Sequence, residues 1–381
     1  MTAPGRPLGD RLAARIAATG PMTLADYMAE CLFHPAHGYY ATRDPLGREG
    51  DFTTAPEITQ MFGELVGLAL AQAWADQGAP SAIALAELGP GRGTLMADLL
   101  RAIRAVSGFR AAAALHLVEA SPALRAAQAE RLSQAAPAWH DTVDALPRDR
   151  PLFLVANEFL DALPIRQFRR DDGGWREVMV TQEDGRLARA LSPPAPVAAL
   201  AHRLADTAPG QIVEQAPALP GIVGAIAERL AAQGGLALIV DYGDWRSRGD
   251  TFQAVAGHAP ADPFAAPGAA DLTAHVDFEA VARAARAAGA EAWGPEPQGA
   301  WLARLGLAER AAALARALPD AAARHAHDAA YRRLTDPAEM GTVFKAMALT
   351  APDAPPPHGL ARAPATEPDT APEDIPETPR R

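Results

Sequence analysis

Three stretches of the chain carry atoms able to do chemistry. The first is residues 83–100, IALAELGPGRGTLMADLL. An apolar run ends at Glu87, turns through Gly89, Gly91 and Gly93, and continues as a helical pattern with Leu95, Met96, Leu99 and Leu100 on one side. That pattern predicts a buried strand, a glycine turn and a helix. Glycine serves where the backbone takes a positive φ or must approach a ligand without a Cβ between them. The helix start then offers unpaired N–H groups to a polar ligand. A tight strand-to-helix connection with no ligand would use the same glycines. The second is Glu119, which closes an apolar run at 114–119. The third is ANEFLDALPIRQF, residues 156–168, where Asn157, Glu158 and Asp161 follow another apolar run.

In doubly wound sheets, an acid at the end of the second strand accepts hydrogen bonds from the hydroxyls of a ribose. A solvated acid at a strand end is the plainer reading of Glu119. The glycine turn lacks the third glycine of the dinucleotide fingerprint. A ligand with adenosine but no diphosphate, such as S-adenosylmethionine, therefore fits better than NAD. Asn157, Glu158 and Asp161 fall where open α/β sheets bind ligands, outside the carboxyl ends of the strands. Capping and turn formation by Asn157 and Asp161 is the alternative. In GDFTTAPEI, residues 50–58, Thr54 with Pro56 and Glu57 suits a helix cap, which leaves Gly50, Asp51 and Phe52 without an assignment. In DLTAHVDF, residues 271–278, Asp277 can cap the following helix, and His275 is either a base, a substrate contact or a bystander. His34 and His37 have no cysteine or acid at ligand spacing, so no metal site is expected.

The elements that must position these groups alternate. Strands are expected at 83–88, 114–119, 138–143, 151–156, 236–241, 290–294 and 343–349. Helices are expected at 57–76, 94–106, 122–134, 218–232, 277–288, 300–317 and 320–334. This rhythm predicts an α/β fold with a mostly parallel sheet covered on both faces. Two helices precede it within residues 8–33, the second capped by Thr23. Residues 34–58 form a long loop of the kind that binds ligands or covers a site. After Pro164, RQFRR-DDGG-WREVMVT alternates about a turn and predicts a β-hairpin, with a further turn at residues 183–185. The organisation expected is an extension over 1–78, a core over 79–350 with insertions at about 164–232 and 243–276, and a disordered proline, alanine and acid tail over 351–381.

The chain has 381 residues, with 35 basic and 46 acidic side chains and a net charge of −11. That argues against general affinity for nucleic acid or an anionic membrane surface. The one cysteine, Cys31, excludes an internal disulfide and a cysteine-built zinc site. No apolar run approaches the roughly 18 residues of a membrane span, and the first twenty residues lack a signal-peptide core. A reducing, cytoplasmic setting is expected.

Together the segments GDFTTAPEI, ELGPGRGTL, LVEASPALR, ANEFLDALP, DYG, AHVDF and EMGTVFKAMAL resemble the MidA-like family of S-adenosylmethionine-dependent methyltransferases, in order, from about Thr23 to Leu349. The resemblance implies a class I methyltransferase (Rossmann-like) fold, with a seven-stranded, largely parallel sheet and a reversed last strand. Carried over by motif, it implies that Glu87 and Gly89, Gly91 and Gly93 cradle the methionine end of S-adenosyl-L-methionine and that Glu119 holds the ribose. His140 and Asp141 would lie near the adenine. Asn157 and Glu158 would face the methyl group, and Asp51 and Thr53 would cover the site. It further implies a protein substrate with a target arginine in a respiratory complex I subunit, methylated during assembly. Eukaryotic members are mitochondrial. For such a reaction Glu158 is the first choice as arginine-orienting acid and Asp161 the second, with His275 or Asp277 completing the pocket. The alternatives are an assembly chaperone that keeps the cofactor site without catalysis, and an NAD-linked oxidoreductase.

Overall fold

The computed structural model describes residues 7–42 and 54–366. Asp51 and Thr53 lie outside the described residues. Seven strands form the central sheet: β1 (Ile83–Leu88), β2 (Ala113–Val118), β3 (Ala138–His140), β4 (Leu152–Asn157), β5 (Gly235–Asp244), β6 (Glu291–Pro297) and β7 (Phe344–Thr350). Their spatial order is β6-β7-β5-β4-β1-β2-β3. Strands β1 to β5 are parallel, and β7 runs antiparallel to both β5 and β6. The expected reversed last strand is therefore present. A short strand, Val276–Asp277, adds in parallel beside the end of β5.

The apolar runs become central strands because both of their faces are covered. Leu85, Phe153, Val155, Leu238 and Val240 point to one layer, built with helices Gln60–Asp76 and Thr94–Ala102. Ala84, Ala86, Leu154, Ala156 and Ile239 point to the other, built with helices Leu219–Gln233 and Phe278–Ala287. All six residues of β1 and of β4 are buried. The chain leaves β1 towards β2 and β3, then returns to place β4 on the other side of β1. The crevice for a ligand opens at that reversal, beyond the carboxyl ends of β1 and β4.

A second lobe forms from the N-terminal helices and the insertions. Thr23 accepts from Asp26 N at 3.0 Å and caps helix Leu24–Phe33, as expected. The predicted hairpin pairs Arg166–Asp171 with Gly174–Glu183, and the further turn leads to Arg186–Leu191. Leu12, Leu24, Tyr27 and Met28 pack with Ile165, Val180, Phe252 and Leu272 in one apolar cluster. The extension and the insertions thus share a core, although they are far apart in sequence. Strand Ile212–Gln215 and a three-stranded sheet within 253–273 complete this lobe.

Several boundaries differ from expectation. The helix over 57–76 is broken at Thr59, an extended residue whose side chain caps the second segment by accepting from Met61 N. Its longer part belongs to the central layers, so the extension ends before it rather than at residue 78. The helix over 300–317 is two helices, Gln298–Arg304 and Leu307–Ala315, separated at Gly306 with φ 87°. Residues 351–366, expected to lie in the tail, pack against the fold. Leu360 and Ala363 are buried, Gly294 N donates to Ala361 O at 2.7 Å, and Ala363 N donates to Ala292 O at 2.9 Å. The segment is held because the outer side of β6 has backbone groups that need partners. Composition registers only the shortage of apolar side chains.

Candidate functional site

The turn after β1 has the geometry its glycines predict. Gly89, Gly91 and Gly93 take φ of 60°, 53° and 77°. Gly89 N donates to Val118 O at 3.0 Å, which ties the turn to β2. A Cβ on Gly89 would lie 2.9 Å from the Phe159 ring, so the turn also has no room there. Thr94, at the start of the next helix, donates to Glu57 Oε1 at 2.5 Å. Glu57 thereby fastens the short helix Ala55–Ile58 to the helix that follows the glycine turn.

Two acids flank this turn. Glu87 is 3% exposed, and its Oε2 has no hydrogen-bond partner. Burial, with the nearby charge of Glu119, pushes its pKa to about 8. Glu119 accepts from Ser121 N at 2.8 Å and from Gln128 Nε2 at 3.3 Å, and burial raises its pKa too. Gln128, fully buried, also donates to Gly91 O at 2.7 Å and accepts from Trp139 Nε1 at 2.8 Å. It joins the glycine turn, Glu119 and β3, and sequence reasoning missed it. A glutamine in the middle of an alanine-rich helix carries no signal of its own. Asp141 is exposed on the same side, paired with Arg125 at 2.6 Å, while Arg125 Nε donates to Glu119 O at 2.6 Å.

Beyond β4, Glu158 adopts φ 50°, the left-handed region that non-glycine residues rarely enter. The cause is Asp241, at the end of β5. Its Oδ2 accepts from Phe159 N, Leu160 N and Asp161 N at 3.2, 2.9 and 3.3 Å, and gathers the chain into a tight turn immediately after Glu158. Glu158 N donates to Val240 O at 2.9 Å. Its Oε1 accepts from Ala55 N at 3.1 Å and from Asn157 Nδ2 at 3.0 Å. Burial and the neighbouring Asp161 push the Glu158 pKa to about 8, against a favourable contribution from Arg333. Asp161 is buried, which raises its pKa, and it is hydrogen-bonded to the Tyr242 phenol. Asp241 is raised as well, by burial and then by Asp161 and Glu158. Three carboxyl groups therefore crowd one turn, with Asp161 and Asp241 buried and Glu158 half-buried, and Asn157 Oδ1 and Asp161 Oδ1 have no partner. Crowded carboxyl groups of this kind favour a bound cation.

Asp241 and Tyr242 were not among the expected site residues. Asp241 ends an apolar run, as Glu87 and Asn157-Glu158 do, so the same rule could have found it. His275 sits one ring away from the cluster. Its imidazole meets the Tyr242 ring edge-on at 5.2 Å, and the His275 backbone N–H donates to Thr251 Oγ1 at 2.8 Å. Burial and Lys345 lower its pKa, which favours the neutral imidazole. Asp277 stands apart from the three carboxyls. Its Oδ1 accepts from Ala280 N and its Oδ2 from Ser247 N, both at 2.9 Å. It is the helix cap, the alternative its sequence position allowed.

The sheet order, the reversed β7 and the cradle at the switch point define a class I methyltransferase. Residues 65–296 match the family model for S-adenosyl-L-methionine-dependent methyltransferases. The chain is 40% identical over 378 residues to a protein arginine methyltransferase NDUFAF7 homolog, mitochondrial, of Drosophila melanogaster, covering 90% of this chain and 84% of that one. It is 35% identical to the Homo sapiens protein arginine methyltransferase NDUFAF7, mitochondrial, over 91% of this chain and 84% of that one. A crystal structure from Burkholderia thailandensis with S-adenosyl-homocysteine bound superposes with a TM-score of 0.80 at 31% identity, covering 92% of this chain and 93% of that one. The chain belongs to this methyltransferase family and is an S-adenosylmethionine-dependent methyltransferase.

Proposed function

We propose that the protein transfers the methyl group of S-adenosylmethionine to an arginine side chain of a protein, and that the acceptor is a subunit of respiratory complex I. The observation that carries the arginine reading is the cluster of half-buried Glu158 with buried Asp161 and Asp241, and the unpartnered oxygens on Asn157 and Asp161. A guanidinium is planar, permanently charged and rich in donors. It would bring positive charge to the carboxyl groups and N–H donors to the unpartnered oxygens.

The cradle suits the cofactor in the same way. Glu87 Oε2 and the backbone of the glycine turn face the crevice end of β1, where an ammonium and a carboxylate would find partners. Glu119 retains free lone pairs for ribose hydroxyls. When bound, the cofactor supplies a methyl group already activated by its sulfonium. The protein's own part is positioning. Glu158 and Asp161 hold the guanidinium fork by charge-assisted hydrogen bonds and draw its positive charge to one side. The nitrogen turned away from them is then the better nucleophile. Asp161, with Tyr242 behind it, is placed to take the proton released on transfer. Asp277 has no part in this reading, because one oxygen caps the helix and the other is held by the Ser247 backbone.

The fly and human relatives carry "mitochondrial" in their names. We place this reaction in the bacterial cytoplasm, where a complex I subunit would meet the enzyme before assembly. No helix among the described residues is long and apolar enough to cross a membrane.

The test separates binding from transfer. Glu158→Gln should retain S-adenosylmethionine affinity in calorimetry while methyl transfer falls about a hundredfold or more. Full turnover in that variant would remove Glu158 from the mechanism.

A further inference from the structure

The His275 loop is fastened to the carboxyl cluster and opens on its other side into a cavity. Ala274 N donates to Asp161 O at 3.0 Å. The pairing of Gly243 with Val276 and of Asp244 with Asp277 fixes the loop against the end of β5. The Tyr242 phenol reaches Asp161, and its ring meets His275. The cavity, of about 390 Å³, is walled by Trp245, Arg246, Ser247, Arg248, Thr251 and His275, with Asp244 at its edge beside the end of β5. A second cavity of about 410 Å³, lined by Thr207, Gly210 and Ile212, shares Arg248 as a wall.

Most of the first cavity's polar wall is tied down. Arg246 makes a two-pronged contact with Glu279, at 2.8 Å on each prong. Ser247 N donates to Asp277, and Thr251 Oγ1 donates to the buried Glu214 while accepting from His275 N. Arg248 is held differently. Its side chain is 68% exposed and reaches Asp206 at 3.6 Å, whereas Asp206 already has Arg203 at 3.0 Å and Arg246 at 3.3 Å. Neutral His275 adds one N–H and one acceptor nitrogen, the pair of functions that a peptide group meets.

Resting on the arginine reading above, we infer that this cavity receives the polypeptide flanking the acceptor arginine, and that Arg248 pairs with an acidic side chain of that flank. A small guanidino compound would need the carboxyl cluster alone. A wall that continues from Asp161 past His275 to a loosely held, exposed arginine has a use only if the acceptor extends beyond its guanidinium. Arg248 then governs which flank is accepted, and Trp245 gives the flank an apolar surface.

The experiment uses the full-length enzyme and peptides centred on the arginine that the wild-type protein methylates, with Glu, Ala or Lys placed in turn at each neighbouring position. Nα-acetyl-arginine amide serves as an acceptor without a flank. Wild type should prefer Glu at one position over Lys there, through KM. Arg248→Glu should reverse that preference by about tenfold in kcat/KM, with kcat and the rate on Nα-acetyl-arginine amide unchanged. An unaltered flank preference in Arg248→Glu would overturn the inference and leave the arginine reading standing. Failure of the wild-type enzyme to methylate any arginine would overturn both.

Discussion

Glu158, half-buried, sits in a strained backbone conformation with its charge disfavoured. Each of these costs free energy; a left-handed non-glycine residue alone costs about 1 kcal/mol. A residue kept there despite the cost is best explained by what it binds. Its pKa of about 8 in the free protein gives a signed prediction. The ionised form is the one that captures a cation, so kcat/KM for the acceptor should rise with pH through about 8 and then level. Glu158→Gln should abolish that rise, which initial rates across pH 6 to 10 would reveal. Glu87 yields a stability prediction. Its pKa is raised from the ordinary 4.5 to about 8, so the folded state holds a proton that the unfolded chain gives up. The contribution is fully present below about 4.5 and is lost as pH rises to about 8, at up to about 1.4 kcal/mol per pH unit. Glu87→Gln should therefore gain in Tm over wild type across that window and hold the gain above it, while its affinity for S-adenosylmethionine falls. A Tm difference independent of pH would contradict the assignment.

At the scale of elements, the strands were legible because they are buried on both faces and read as continuous apolar runs. The glycine turn was legible because positive φ has few residue solutions. The same rule, an acid ending an apolar run, picked out Glu87 and Glu158 yet was not applied to Asp241, which holds the turn after β4 in place. Gln128 and Tyr242 could not be read, since their roles depend on partners from other strands brought together by folding. The break at Thr59 was hidden because the flanking residues are all good helix formers. The anchoring of 351–366 was hidden because it relies on backbone pairing with an edge strand. Gly89 offers the test at this scale. Gly89→Ala places a Cβ against Phe159 at a φ of 60°, so stability should fall by about 1–3 kcal/mol. Cofactor affinity should fall with it, because Phe159 belongs to the turn that carries Glu158. Denaturant unfolding and calorimetry on the same sample would check both, and a wild-type cofactor affinity would separate the two turns.

At the scale of the molecule, a catalytic sheet and a lobe built from distant pieces of chain meet at the acid cluster. Residues 8–33 pack on strands from 166–183 and on the 253–273 sheet, so the N-terminal helices help to shape the acceptor side. Met28 is fully buried in that cluster, and its sulfur accepts from Ile165 N at 3.4 Å. Met28→Ala should cost about 2–5 kcal/mol. Hydrogen exchange should locate the loss in the lobe, with strands β1 and β4 keeping their protection. Equal loss in both regions would mean that lobe and sheet unfold as one unit. The net charge of −11 suits an arginine-bearing acceptor segment and adds no specificity by itself.

The central claim is that the carboxyl cluster exists to hold an arginine, and the direct measurement is to locate the methyl group. Purified complex I subunits of the source organism would be incubated with the enzyme and isotopically labelled S-adenosylmethionine, digested, and fragmented in a mass spectrometer. Label on the guanidinium of one arginine, absent with Glu158→Gln, is the predicted result. Label on lysine, on a carboxylate or on a backbone amine, or transfer that survives loss of the Glu158 charge, would contradict the account.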